Sequence, residues 1–326
     1  MSGGGDSLAL MYLLAAHASA RKRKPPVVLT VDHGLRRTSS KDAQKVADWA
    51  QKVGLKAHIL TWSGPIPKSG VEAAAREARY GLMGAWMTKH KIATLYVGHT
   101  MDDQAETFLL RLARGSGLDG LAAMRSLAPW PVPGFAKLMV ARPLLGITRS
   151  DLRAYLKSHG QAWLDDPMND DDAFDRVKIR RAGKVLSGLG LTAPRLAAAA
   201  AHLGRARAAL ESMTDAVLAE AIAKPPRGQA GVLLNPAVLT AAPREVGLRA
   251  LAALLMSVSG QAYRPRFDAL ERLFTRIAAG TLGGGATLHG CHIGPAPQRG
   301  LSAALLVARE KPRKTAGSLK KATPGG

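Results

Sequence analysis

GHTMDDQAET, from Gly98 to Thr107, places Asp103 and Glu106 three residues apart, on one helix face, with Asp102 pointing elsewhere. Two carboxylates so placed can hold an ammonium group, orient a metal ion or act as a base. The same residues also fit a structural role: Thr100 with Asp103 has capping-box spacing, and acids in a first turn favour the helix dipole. A second stretch, MSGGGDSLAL from Met1 to Leu10, sets three glycines ahead of an apolar run that reads as a helix starting near Asp6 or Ser7. The first amides of a helix have no partner inside it and its dipole attracts anions, so Gly3, Gly4 and Gly5 would let backbone N–H groups wrap a phosphate. The hydroxyls of Ser2 and Ser7 add donors, and Asp6 could reach a magnesium ion. An exposed tail ahead of a capped helix is the alternative for this stretch.

Two familiar phosphate loops are excluded here. A Walker A loop needs a lysine and a hydroxyl residue after its last glycine, where Asp6 and Ser7 stand; the dinucleotide fingerprint needs Gly or Ala where Leu8 stands. Ser7 lacks the GxSxG surroundings of a hydrolase nucleophile. Arg111 and Arg114 follow the acids by one and two helical turns, suiting either the helix dipole or a phosphate. WLDDPMNDDDAFDRVKIRR, from Trp163 to Arg181, carries six acids and then Arg176, Lys178, Arg180 and Arg181, of which one or two arginines could close over a nucleotide. His289, Cys291 and His292 make a poor metal set, because in an extended strand His292 points away from the other two.

The elements that must position these residues are legible from periodicity. VVLTVDHG (Val27 to Gly34) reads as a buried strand ending in Asp32 and His33, and Ser39 to Gly54 as a helix. Leu55 to Trp62 reads as a second strand, Val71 to Lys89 as a long helix, Ile92 to Gly98 as a strand and Met101 to Ala113 as a helix. Such alternation predicts an α/β fold, a parallel sheet with helices on both faces, whose ligands sit beyond the carboxyl ends of the strands. The glycine stretch, Asp32 and the Gly98–Glu106 segment would then face one crevice. A Pro-rich loop (Ala128 to Gly134), a short strand (Leu138 to Arg142) and a helix opened by Thr148 follow. A long Ala-rich helix, about Pro194 to Ile222, leads into a smaller α+β region with helices near Pro243–Val258 and Pro265–Ala279 and strands near Thr287–Ile293 and Ala303–Ala308. The expected domains are 1–181, catalytic; 182–310, linker helix and RNA-binding α+β domain; and 311–326, a disordered basic tail.

Charge narrows the partners. Lys and Arg exceed Asp and Glu by 22 over the 326 residues; residues 181–326 hold 20 basic and only 7 acidic residues, which favours a polyanion such as RNA. A lone cysteine, Cys291, excludes an intrachain disulfide framework and a protein-ligated iron–sulfur cluster. No apolar run is long enough to span a bilayer and no signal-peptide pattern is seen, so the expectation is a cytoplasmic protein without a membrane partner.

SGGGDS resembles the pyrophosphate-binding loop of the N-type ATP pyrophosphatases, the PP-loop superfamily with its adenine nucleotide α-hydrolase-like fold. VDHGLR (Val31 to Arg36), GHTMDDQAET, RLARGSG and DPMN…FDRVKIR together resemble the bacterial tRNA(Ile)-lysidine synthetase family. The likeness is strong from Ser2 to Arg181 and weaker through TLGGGATLHGCHIG (Thr281 to Gly294). It implies that the wobble cytidine of an isoleucine tRNA with a CAU anticodon is adenylated by ATP and then joined to lysine, forming lysidine. It further implies that Ser2, Gly3, Gly4, Gly5, Asp6 and Ser7 cradle ATP, with Mg2+ at Asp6. Asp32 would sit beside the reacting nucleotide, Asp103 and Glu106 would bind free L-lysine, and Arg114 with Arg180 or Arg176 would steady phosphate or tRNA. The family places a strand directly before SGGGDS where only Met1 stands, so the expectation is a natural chain that starts upstream; Thr100 stands where the family often has a second histidine. Two rivals are a tRNA thiolase of the same superfamily, which the single cysteine disfavours, and a basic RNA-binding protein with a decayed site, which Asp6, Asp103 and Glu106 disfavour.

Overall fold

A computed structural model describes residues 1–34, 38–64, 70–164, 175–225, 227–298 and 303–310. Leu35 and Arg36, the DPMN stretch and the basic tail at 311–326 lie outside the described residues. The glycine stretch runs straight into α1 (Gly5–Ala20), which buries Leu8, Ala9, Leu10 and Met11 in succession. A helix apolar on so many consecutive positions has neighbours on most sides.

β1 (Val27–Asp32) is followed by α2 (Ser39–Lys52) and β2 (Lys56–Thr61), and the two strands pair in parallel from Val27 opposite Lys56 to Asp32 opposite Thr61. α3 (Val71–Lys89) leads to β3 (Thr94–Tyr96), and α4 (Met101–Ala113) with the short α5 (Leu118–Leu121) leads to β4 (Leu127–Pro129) and β5 (Met139–Ala141). β3 pairs in parallel with β5, which carries β4 antiparallel on its other side. The Pro-rich loop of the sequence reading thus opens with an edge strand, the one sheet position where Pro129 withholds no needed donor. Among the described residues no ladder joins β1 to β3. Both strands instead line one cavity of about 1670 Å³.

Helices cover both faces of this parallel arrangement, as the alternation of adjacent strand residues shows. Val28 packs with Leu8, Val46, Leu152 and Leu156 on one side, whereas Leu29 packs with Tyr80, Met83, Met87 and Val140 on the other. Leu8, Leu152 and Leu156 are at most 2% exposed, and each buried leucine contributes about 1.5–3 kcal/mol. α6 (Arg149–Ser158) supplies two of these leucines and packs on α1. Its N-terminus is capped by Thr148, whose Oγ1 accepts the Asp151 N–H at 3.1 Å. α7 (Asp175–Arg181) packs on α4, and α8 (Gly183–Gly188) and the 29-residue α9 (Ala193–Ala221) follow.

The chain divides into two compact units, Met1–Arg207 and Ala208–Gly326, so that α9 contributes to both. The second is an antiparallel sheet ordered β6 (Ile222–Ala223), β7 (Val232–Leu234), β10 (Leu305–Arg309), β9 (Cys291–Pro295), β8 (Ala286–Leu288). α10 (Pro236–Ala241), α11 (Arg244–Ser259) and α12 (Phe267–Ala278) accompany it. Its core holds Leu251, Leu255, Phe274, Ile293 and Val307. Where the sequence reading has one strand over Thr287–Ile293, the chain turns back between Leu288 and Cys291. His289 at φ 56° and Gly290 at φ 69° make the two-residue turn whose twist suits a hairpin.

Candidate active site

The glycine loop is shaped by what packs against it. Gly3 has φ 82°, and a Cβ there would lie 2.6 Å from Leu164 Cδ1 and 3.0 Å from Val46 Cγ2, so no side chain fits. The Leu164 N–H donates to the Gly3 carbonyl at 3.0 Å, and Trp163 stacks close to Gly5. Gly4 is the N-cap of α1. Its carbonyl accepts the Ser7 hydroxyl at 2.9 Å, and the Ser2 and Ser7 hydroxyls lie 3.3 Å apart. The first-turn amides of α1 have no intrahelical acceptor, and Ser2, Gly4, Gly5, Asp6 and Ser7 all line the cavity. On the other side the chain leaving β3 passes against this loop: a Cβ on Gly98 would fall 2.8 Å from the Asp6 carbonyl oxygen. The glycine loop and the GHTMDDQAET segment are therefore held in direct contact.

The acids of that segment gather around a residue the sequence reading missed. Arg149, the first residue of α6, donates from Nε to Asp6 Oδ2 at 3.2 Å, from Nη2 to Asp103 Oδ1 at 3.1 Å and from Nη1 to Glu106 Oε1 at 3.4 Å. Its backbone N–H donates to Asp102 Oδ2 at 2.7 Å, so the acid expected to point elsewhere caps the start of α6. Arg180 grips Glu106 with a bidentate pair, Nε to Oε1 at 2.6 Å and Nη2 to Oε2 at 3.1 Å. Asp103 also fills the structural role. Its Oδ2 accepts the Thr100 N–H at 2.8 Å and the Thr100 hydroxyl at 2.9 Å, completing the capping box, while Oδ1 faces Arg149. Having two oxygens, the Asp103 carboxylate caps the helix with one and pairs with Arg149 through the other.

Charges in this cluster bias one another. Burial raises the Asp6 carboxyl above its ordinary value, against the pull of Arg149. Burial works against the Arg149 guanidinium too, but Asp103, Glu106, Asp6 and Asp102 together more than offset it and raise its pKa. Three carboxylates, Asp6, Asp103 and Glu106, meet two guanidiniums at hydrogen-bond distance, and the Arg149 backbone amide holds a fourth, Asp102. His99, beside the cluster, is lowered to about 4, chiefly by burial, with Asp103 opposing and Arg142, Arg176 and Arg76 adding to the fall. Among the described residues its Nδ1 has no hydrogen-bond partner, and neither has that of His33.

Other expected residues are placed differently. Asp32 uses both oxygens locally: Oδ1 accepts the Gly34 N–H at 3.0 Å and the Ser39 hydroxyl at 2.6 Å, and Oδ2 accepts the Ser40 hydroxyl at 2.5 Å. The bonds from Ser39, Ser40 and Gly34 hold its carboxyl below the usual range. It sits behind the cavity wall, to which His33 and Ser39 contribute. Arg114 is not brought to the acidic cluster; it lies at the end of α4, 68% exposed, bonded to Asp175 at 3.1 Å. Arg176 is exposed at the start of α7. Cys291 is buried in the second unit, with Sγ donating to the Leu255 carbonyl at 3.3 Å, and His289 occupies the hairpin turn.

A parallel α/β unit whose phosphate-type glycine loop opens a helix beside an acidic pair defines a nucleotide-handling class, and residues 1–185 match the PP-loop domain family. A tRNA(Ile)-lysidine synthase from Ruegeria pomeroyi is 42% identical over 85% of this chain and 64% of its own length; the chain thus spans less than two thirds of that relative. Those from a Bradyrhizobium species and from Methylobacterium nodulans are 38% and 40% identical, each over 89% of this chain and over 82% and 86% of their own lengths. The chain belongs to the tRNA(Ile)-lysidine synthase family. Among solved structures, the U34-tRNA thiolase NcsA from Methanococcus maripaludis with its 4Fe-4S cluster has a TM-score of 0.49 at 15% identity, covering 62% of this chain and 68% of its own; that likeness decides nothing here.

Proposed function

We propose that this chain uses ATP to join lysine to the wobble cytidine of the isoleucine tRNA with a CAU anticodon. Oxygen on C2 of cytosine is a poor leaving group. In the first step it attacks the α-phosphate of ATP and pyrophosphate leaves; in the second the lysine ε-amine attacks C2, AMP leaves with that oxygen, and the amine loses a proton. The names of the relatives support the reaction. What supports the assignment of parts is the contact between a glycine loop with open amides and an acidic pair, Asp103 and Glu106, whose oxygens bond the cationic nitrogens of Arg149 and Arg180. Loop amides and the Ser2 and Ser7 hydroxyls would hold phosphate oxygens. Asp103 and Glu106 would hold the lysine, and Arg180 would orient Glu106. Asp6, a partly buried carboxylate at the loop, offers the hard oxygen that Mg2+ prefers; the ion when bound would offset phosphate charge.

Asp32 acts in this reading by fixing the chain after β1. No helix among the described residues is long and apolar enough to cross a membrane, and a cytoplasmic place fits a tRNA substrate. The test is incubation with ATP, radiolabelled lysine and that tRNA. Label entering the RNA, with pyrophosphate and AMP released, is expected; tRNA binding without label would overturn the reading.

A further inference from the structure

We infer that Arg149 is a positioning residue that sets the spacing of the carboxylates which receive lysine. The inference rests on the proposed function for what those carboxylates bind, but its physical basis is independent of it. A cation at the first position of a helix opposes the helix dipole, so Arg149 stands where a positive charge is disfavoured unless something local offsets it. The offset is the carboxylate set itself. A single guanidinium reaches Asp6 on the first turn of α1 and both Asp103 and Glu106 on α4, while its backbone amide holds Asp102. Three carboxylates converging without it would repel, and would turn to other donors or take up protons.

The fork geometry explains why an arginine stands here. Nε and the two Nη groups lie fixed in one plane, with Nε on Asp6, Nη2 on Asp103 and both Nη groups on Glu106 Oε1. A lysine ammonium would satisfy one or two and leave the third to drift. The guanidinium is itself fixed from behind, because α6 buries Leu152 and Leu156 in the core and Thr148 caps its start. Arg180 differs: it approaches from α7 and bonds Glu106 alone among the three acids. Arg149 thus ties the nucleotide loop to the amine-receiving pair, and its guanidinium fixes Asp103 Oδ1 and Glu106 Oε1 relative to each other before substrate arrives.

Two readouts test this on the full chain. In lysine incorporation, Arg149→Gln is expected to raise the KM for lysine by about tenfold or more while the KM for ATP changes less than about threefold, with Arg149→Lys intermediate. Equal changes in both constants, or none, would overturn the positioning role. The second readout needs no activity: melting temperatures of Arg149→Gln, Glu106→Gln and the double variant. Removing either partner leaves the other buried charge less compensated, so the double variant is expected to lose less than the two single losses together. Strictly additive losses would refute the inference even if wild-type protein ligated no lysine, an outcome that would instead defeat the proposed function and leave the thermal cycle to decide the role of Arg149. Should Arg149→Gln fail to fold, the same cycle run with Arg149→Lys decides it.

Discussion

At Asp103 one carboxylate caps a helix and faces a guanidinium, and the two tasks separate by mutation. Thr100→Val removes the hydroxyl partner of the cap; it is expected to cost about 1 kcal/mol of stability, read by thermal or urea unfolding, while leaving the KM for lysine near wild type. Asp103→Asn disturbs both tasks and is expected to raise that KM as well. His99 gives a pH signature. Its folded pKa, lowered to about 4 by burial, lies below the unfolded value of about 6.5, so the unfolded chain binds the extra proton between those limits. The unprotonated His99 is therefore compatible with full stability above about pH 6.5, and stability falls as pH drops from there towards 4. His99→Gln is expected to flatten that part of a stability-against-pH curve; an unchanged slope would show that other groups set it.

Among elements, the glycine loop and the exit of β3 are the most tightly fitted. Gly98→Ala would push a methyl group to within 2.8 Å of a backbone oxygen, which cannot swing aside as a side-chain end can. A loss of about 1–3 kcal/mol is expected, together with weakened ATP binding in a titration, because the yielding partner is the loop itself. How far such elements are legible in sequence depends on where their signal lies. α3 and α4 begin and end where periodicity and caps place them, since those signals are local. The hairpin at His289 and Gly290 escaped because His is an unusual residue at positive φ, so the pair does not read as a turn. Arg149 escaped for another reason. Its partners stand 143, 46 and 43 residues away in sequence, and only folding brings them together. The available hint was an arginine in a helix's first turn, where the dipole disfavours it. Asp32 was legible as the end of a strand, but its serine partners belong to the next helix and drew both oxygens inward.

Over the whole molecule, charge is the property that sequence reports without loss. With a surplus of 22 positive charges, tRNA affinity is expected to fall steeply as salt rises, by orders of magnitude between about 50 and 200 mM if many phosphates are neutralised. A filter-binding series across that range measures it; a flat response would mean that contacts other than phosphate pairing dominate. The second compact unit carries the chain's sole thiol, fully buried at Cys291 and raised in pKa by that burial. A bulky maleimide cannot reach it while that unit stays closed. The rate at which such a reagent reacts in native buffer accordingly clocks the opening of one half of the protein, with no engineered label and no interference from the other half.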